Sequence, residues 1–563
     1  MSQPFEILSL RFARIVEKQR VVADVRPELT PTYPGVDWDH ARDGRSTSKH
    51  PTSFVAVIGP RRPARLTVNV RFANFPSNAR WAVHAVADPD PEGTPAVAVR
   101  TLKESRPGCV SREISFTVTD PRLPSDRVGR YQVEWHWFGR RHDAKTGRYD
   151  PPQEVGVTRF VVYSIAGAPI HAPWTQSPES EPDRDLPWVP VLDWACSTAA
   201  GATSPLEGAA VLTREMYALG SPDRIPEKKR QFVNLNSDQF ICDEEHHIFR
   251  CAAFLRAMTE PVTAERPARV ACNDMATALC VFANVLGADL MRHQIAMNGD
   301  RMPVREVKPI GVASTLPFWR HHEIACASHT GTVFDAFLQF PATGIEEGKI
   351  CWESPVDMPL GHPRCGAKPA GYLQRLLSGN IDKCAVNKLA APTLDRRSGG
   401  TVPPGPITRR YEAFLAQLQG YTPLPAVPRP SVSTPTCLPK MFFKVPAAVF
   451  ETLDASFRAT RSHASAEWST GSARYWLAVE WAASTPDALE LAAWRLTFYH
   501  GLDLVAPPSA GFQPVFVTQT GQQGLAVVAN LVLEFGVHGH SGETVNMLWG
   551  PEMPLPPLGT TPS

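Results

Sequence analysis

The chain has almost no charge of either sign in excess: 57 Lys and Arg stand against 56 Asp and Glu, a net +1 over 563 residues. That balance leaves no electrostatic surplus to draw the protein onto nucleic acid or an anionic membrane. No apolar run approaches the roughly 18 residues of a membrane helix. From Met1 to Val21, Glu6, Arg11, Arg14, Glu17, Lys18 and Arg20 interrupt the apolar residues, so no signal-peptide core is expected there. A cytoplasmic protein without a membrane partner is the resulting expectation. Glycine-rich phosphate loops of the GxGxxG or GxxxxGK kind are missing, so nothing points to nucleotide use, and no internal repeat is present. The eleven cysteines include no CxxC pair and form no regular framework. Reduced thiols are expected, not a disulfide lattice.

What is present is a folding composition, 43% hydrophobic and 20% charged, able to bury sizeable cores. The 55 prolines are close to one residue in ten, against an average of about one in twenty, and imply many loops and linkers. Period-two alternation in Ser53–Ile58, Leu66–Phe72, Tyr131–Trp137 and Thr158–Tyr163 predicts a two-sheet antiparallel sandwich over residues 1–168. Trp135 and Trp137 share one strand face and are assigned to its core. A proline-rich connector, 169–189, follows.

Helix signals dominate the next part, 190–389. Ser204-Pro205-Leu206-Glu207 supplies an N-cap, a proline at the first helical position and a capping-box glutamate, and Gly220 stops the helix. A second helix is expected over Glu245–Met258. The strongest begins at Cys272: Met275, Ala276, Leu279, Phe282, Ala283 and Leu286 form one apolar face, and Gly287 stands where a left-handed cap ends it. Strands are then predicted over Leu290–Met297, Arg320–Ala327 and Thr332–Phe340, with a short turn at His329-Thr330-Gly331. Residues 390–435 read as a Pro/Gly-rich linker around one helix, Ile407–Leu418. Residues 436–555 read as a small α+β domain, with a strand Tyr475–Trp481, a helix from Ser484 to about Tyr499, and strands Val515–Thr518 and Leu525–Phe535. The fold class is multidomain α+β.

Cysteine chemistry needs a thiolate, a base and a group that orients the base. Cys272 opens the best helix, where unpaired N–H groups and the positive dipole end favour an anion. The bland alternative is that Cys272 is one more small buried residue. The hairpin that follows can bring an imidazole beside a carboxylate, since His321 and His322 lie on one strand and Asp335 on its partner. Parity allows either histidine: a two-residue turn puts His322 on the face of Asp335, and an odd-length loop puts His321 there.

Three blocks, Ala271-Cys272-Asn273-Asp274-Met275-Ala276, His322-Glu323-Ile324-Ala325 and Val333-Phe334-Asp335-Ala336, stand in this order on a helix and two strands. They resemble the transglutaminase-like branch of the papain-like cysteine enzymes. The resemblance spans roughly residues 190–345 and implies a papain-like core in that part of the chain. It puts the nucleophile on Cys272, the base on His322 and its orienter on Asp335. It also implies acyl transfer on amide bonds of a protein or peptide substrate through a thioester, with no cofactor and no metal. Two positions depart from the family pattern: Ala271, where glycine is usual, and Ile324, where an aromatic is frequent.

Rival sites are thinner. Cys242-Asp243-Glu244-Glu245-His246-His247 with Cys251 carries zinc-ligand types, with a His/Cys pair four apart on the expected helix. Cys351, His362, Cys365 and Cys384 fit no standard zinc spacing. Arg396-Arg397 and Arg409-Arg410 are too short to imply nucleic acid. The functional alternative to an enzyme is a catalytically inactive scaffold that serves as a protein interaction module.

Overall fold

The computed structural model describes residues 126–169, 171–174, 186–220, 232–234, 241–243, 248–259, 268–297, 302–311, 318–319, 321–342, 351–361, 371–378 and 381–394, together with shorter stretches before residue 121 and after residue 412. Most of the expected linker, the segment 244–247, His362, Cys365 and the arginine pairs lie outside the described residues.

The amino-terminal part is two sheets with an aromatic core between them. One runs Ser111–Asp120, Ala64–Ala73, Glu6–Phe12, Trp38–Asp39; the other runs Val22–Ala23, Thr52–Val55, Gln153–Ile165, Gly129–Arg141, Trp81–Ala87, Val97–Leu102. Alternate residues point inward, so Trp135 and Trp137 are buried in the core. Trp137 donates its indole N–H to Thr158 at 3.0 Å, and Trp135 meets Phe160 edge to face at 4.9 Å. One pairing departs from the antiparallel expectation: Thr52–Val55 runs parallel to Gln153–Ile165. The chain between those strands far exceeds the dozen or so residues that a parallel crossover needs.

The sandwich leads directly into the central core. Tyr163 Oη and Arg130 Nε both donate to Asp193 Oδ1, each at 2.6 Å, and Val161, Tyr163 and Ile165 pack into the same apolar cluster as the helices that follow. Helix Pro205–Ala218 begins as its sequence requires, Ser204 Oγ accepting the Glu207 N–H at 3.2 Å. The reciprocal arm differs from a capping box: the Glu207 carboxylate accepts from the Thr203 N–H at 2.7 Å and the Thr203 hydroxyl at 2.8 Å. The helix expected from Glu245 begins instead at Cys251 and runs to Thr259, because Ile248–Phe249 is a strand paired with Thr393–Leu394.

Helix Cys272–Asn284 is enclosed. The sequence marks one apolar face, yet every residue from Asp274 to Asn284 is buried. Asn284 ties its end to the first strand of the central sheet, donating to the Leu290 carbonyl at 3.0 Å and accepting the Leu290 N–H at 2.8 Å. Gly287 takes φ +92, and a Cβ there would stand 2.4 Å from the Cα of Gly167, so the close approach of sandwich and helix end requires glycine at this turn.

The central sheet is antiparallel, in the order Met358–Pro359, Thr332–Phe334, His321–Ala327, Leu290–Met297, Cys384–Lys388. The helix Cys272–Asn284 packs on its middle strands. Further on, the strands His463–Thr470, Ala473–Trp481, Leu531–His538, Gln523–Val528, Val515–Thr518 and Leu502–Ala506 form a six-stranded antiparallel sheet with helix Thr485–Phe498. The apolar run Leu525–Phe535, expected as one strand, is parts of two paired strands, since a continuous apolar run carries no mark of the point where it folds back. Arg495 on the helix bridges two buried carboxylates, Glu480 and Glu534, at 2.6 Å each. No helix among the described residues is long and apolar enough to cross a membrane.

Burial pushes the thiols of Cys196, Cys251, Cys280 and Cys326 up. A raised folded-state value stabilises the fold below the unfolded thiol range and loses that stabilisation as pH climbs beyond it. Above about pH 8.5 the unfolded chain releases protons that the folded core keeps, so stability should fall by up to about 1.4 kcal/mol per pH unit for each such thiol. Urea unfolding between about pH 8 and pH 10 measures this, and a flat profile contradicts it.

Candidate active site

Cys272 is the first residue of its helix. Ala271, the N-cap, is extended at φ −117 and ψ 175 and has no side chain with which to cap. Asp274 instead accepts the Ala271 N–H at 2.9 Å. Among the described thiols, Cys272 is partly exposed and Cys351 exposed, while Cys196, Cys251, Cys280, Cys326 and Cys384 are buried. The main-chain N–H groups of Asn273 and of Glu323, the residue after His322, act on the Cys272 thiol in the direction that favours its thiolate.

At the Cys272 thiol, burial acts against the helix start. Burial pushes the thiol up, the carboxylates of Glu323 and Asp335 add to that, and the two N–H groups oppose it only in part. A dipole at a helix end is visible in a sequence, whereas the desolvation that outweighs it depends on the sheet packed above.

On the strand His321–Ala327, His321 is exposed and His322 fully buried. The register Ala325↔Phe334 and Cys326↔Val333 leaves four residues, Ser328 to Gly331, between the strands. An even-numbered loop keeps His322, and not His321, on the face of Asp335. His322 Nε2 donates to Asp335 Oδ2 at 2.8 Å. Because the carboxylate only accepts, the proton of the neutral imidazole belongs on Nε2 and the lone pair on Nδ1. Nδ1 is buried and has no hydrogen-bond partner among the described residues. Trp319 lies against the ring at 4.9 Å and Phe337 at 5.7 Å.

Asp335 does not continue a strand. The expected strand Thr332–Phe340 is broken into Thr332–Phe334 and Leu338–Pro341, because Asp335 Oδ1 accepts the N–H of Phe337 at 2.8 Å, a local bond that competes with the ladder. Its Oδ2 also accepts the Tyr372 hydroxyl at 2.5 Å. Tyr372 opens the short helix Tyr372–Leu376, and burial followed by the Asp335 charge holds its hydroxyl well above the usual phenol range. Sequence spacing carried no signal for Tyr372, which is 37 residues from its partner.

The structure thus brings His322 and Asp335 into direct contact. It makes no hydrogen bond from the Cys272 sulfur to His322 Nδ1. Among the described residues no group of His, Cys, Asp and Glu is placed to hold a metal ion.

No family model matches the chain, and no curated protein does. Among solved structures, a Mobiluncus mulieris adhesin with intramolecular disulfide, isopeptide and ester bond cross-links aligns with 20% of this chain at 13% identity and a TM-score of 0.15, and the chain spans about half, 53%, of that protein. The CooA pilin subunit of enterotoxigenic Escherichia coli aligns with 21% of this chain and 92% of its own, at 11% identity and a TM-score of 0.13. Red sea bream transglutaminase aligns with 86% of this chain and 76% of its own, at 8% identity and a TM-score of 0.28. Similarities this low carry no functional argument.

Proposed function

We propose that the chain is a cysteine-dependent acyl-transfer enzyme acting on amide bonds, with a transglutaminase-like core, in which Cys272 is the nucleophile, His322 the base and Asp335 its orienter. The observation that supports it most is the buried His322–Asp335 contact of 2.8 Å, together with the Nδ1 lone pair left open beside it. A buried acceptor without a partner costs about 1–3 kcal/mol, and a proton donor entering the site removes that cost.

The chemistry follows from the neutral resting thiol. As the sulfur bonds to the amide carbonyl carbon, its proton passes to His322 Nδ1, and Asp335 balances the imidazolium charge. The imidazolium then protonates the amine as the C–N bond breaks, leaving a thioester on Cys272. Water or a second amine gives its proton to Nδ1 as it attacks the thioester, and the C–S bond then breaks as Nδ1 returns that proton to the sulfur, releasing acid or a new amide and the neutral thiol. Water makes a protease or amidase, and an amine a transamidase. The same proposal takes a protein or peptide substrate in the cytoplasm, needs no cofactor, and assigns the parts 1–168, 190–389 and 436–555 to separate domains.

A second reading, a transglutaminase-like scaffold without catalysis, is favoured by the raised Cys272 thiol and its missing hydrogen bond to Nδ1. One experiment divides the two. With 4-nitrophenyl acetate as acyl donor, the full chain should gain a single acetyl group that maps to Cys272, and hydroxylamine should discharge it. Acetylation that avoids Cys272 contradicts the enzyme reading and leaves the scaffold.

A further inference from the structure

Tyr372 is fully buried, and no step of the chemistry above uses it. Its hydroxyl nevertheless donates to the oxygen that the proposed base holds. Oδ2 of Asp335 receives two donors, the His322 Nε2–H at 2.8 Å and the Tyr372 hydroxyl at 2.5 Å, while Oδ1 takes the Phe337 N–H. The tyrosine bond is the shorter of the two, in the range of a hydroxyl on a carboxylate. A buried tyrosine needs some acceptor, but a main-chain carbonyl would serve that need. Its own helix holds the hydroxyl in place. Leu373 and Leu376 are fully buried, and the Leu373 N–H donates to the Leu360 carbonyl at 3.0 Å. Arg375 ties the helix to the stretch that follows Asp335: its Nη2 donates to the Pro341 carbonyl at 2.6 Å, and its guanidinium lies 4.7 Å over the Phe340 ring. That ring packs in turn on Tyr372 at 5.3 Å. Hydroxyl and carboxylate therefore keep a fixed relation.

Two donors on one oxygen share its charge. A buried carboxylate whose oxygen served the imidazole alone would favour the imidazolium strongly, and an imidazolium cannot accept the thiol proton. The second donor spreads the charge of Oδ2 and weakens that pull, which leaves the lone pair on Nδ1. Among the described residues, the other ionisable groups that act on Asp335 or Tyr372 are the thiols of Cys272 and Cys326, both pushed up by burial. Glu323 and the exposed His321 lie on the opposite face of the strand from His322, and Glu323 is paired there with Arg292 at 2.8 Å. Burial and the Asp335 charge hold the Tyr372 hydroxyl well above the usual phenol range, so it remains a donor wherever the base works.

We infer that Tyr372 is a positioning residue for the base: it occupies part of Asp335 Oδ2, limits how tightly the carboxylate grips His322, and so keeps a neutral ring with Nδ1 open to the thiol proton. The inference deepens the proposed function and rests on His322 being the base of Cys272. Without the hydroxyl, Oδ2 serves His322 alone. The imidazole then takes up a proton at a higher pH, and the acid limb of the reaction moves up with it. A stronger donor in the same place moves the limb down. A tyrosine that only fills the core moves it neither way.

The test is the pH dependence of the rate at which 4-nitrophenyl acetate acetylates Cys272 in the full chain, read by peptide mapping. Tyr372→Phe keeps the ring and removes the hydroxyl. Its acid limb should lie about half to one pH unit above that of the wild type, a roughly threefold to tenfold slower reaction on the limb, with the rate beyond the limb little changed. Tyr372→3-fluorotyrosine keeps the shape and makes the hydroxyl a better donor, and its limb should lie below that of the wild type. If one variant fails to fold, the sign of the other's shift still decides. A folded variant whose limb is unmoved, or moves in the reverse sense, overturns the inference, while acetylation of Cys272 in the wild type leaves the nucleophile assignment standing. If the wild type is not acetylated at Cys272, the enzyme reading fails and this inference goes with it.

Discussion

Cys272→Ala should abolish acyl-enzyme formation and reduce turnover by roughly 10⁴-fold or more, the scale on which loss of a nucleophile acts. Neither of the two buried thiols Cys280 and Cys326 is placed to substitute. Cys280 lies two turns further along the same helix and is buried, and Cys326 is buried in the strand. Both are pushed up by burial as well. The fold should survive the change, since Cys272 is partly exposed and its preceding residue is already alanine. Circular dichroism and thermal unfolding should therefore match the wild type while the acetyl adduct disappears. An adduct that persists on the alanine variant identifies a different nucleophile.

Asp335→Asn should lower the rate by roughly 10²-fold to 10⁴-fold, the upper end being the loss known for the equivalent carboxylate in a serine protease. The amide can still accept the Nε2 proton, but it cannot balance an imidazolium. Here the carboxylate also has a structural task, because Oδ1 takes the Phe337 N–H and Oδ2 takes the Tyr372 hydroxyl. An asparagine has one accepting oxygen in place of two, so a buried donor loses its partner at about 1–3 kcal/mol. The melting point should drop along with the rate. Tyr372→Phe separates the effects: it removes one donor, keeps the charge on Asp335, and should cost far less in rate than Asp335→Asn. Equal losses in the two variants would mean that Asp335 acts through packing alone.

Features that depend on neighbours in the sequence were legible in it. The cap at Ser204, the glycine turn at Gly287 and the strand Leu290–Met297 each follow from a few adjacent residues, and all three are present. The choice between His321 and His322 was not legible, because it depends on whether the hairpin loop has an odd or even number of residues. Asp335 was expected inside a strand, and its own side-chain bond to Phe337 is what ends that strand. Tyr372, Trp319 and Arg292 escaped notice for a common reason: each reaches its partner only through tertiary packing, and none belongs to a local motif. For Cys272 the helix terminus that favours the thiolate is a local feature, whereas the burial that opposes it is not.

The most direct test of the catalytic unit is the rate at which iodoacetamide modifies Cys272 in the wild type and in His322→Ala at neutral pH, with Cys351 in the same sample as an exposed reference and Cys280 as a buried one. The account predicts that Cys272 outpaces Cys280 in the wild type, and that His322→Ala slows Cys272 by roughly 10²-fold, the low end of general-base assistance, with Cys351 unchanged. A Cys272 rate that is the same with and without the His322 imidazole would contradict it, because the sulfur would then have no base, and the buried His322–Asp335 contact would be only a part of the core.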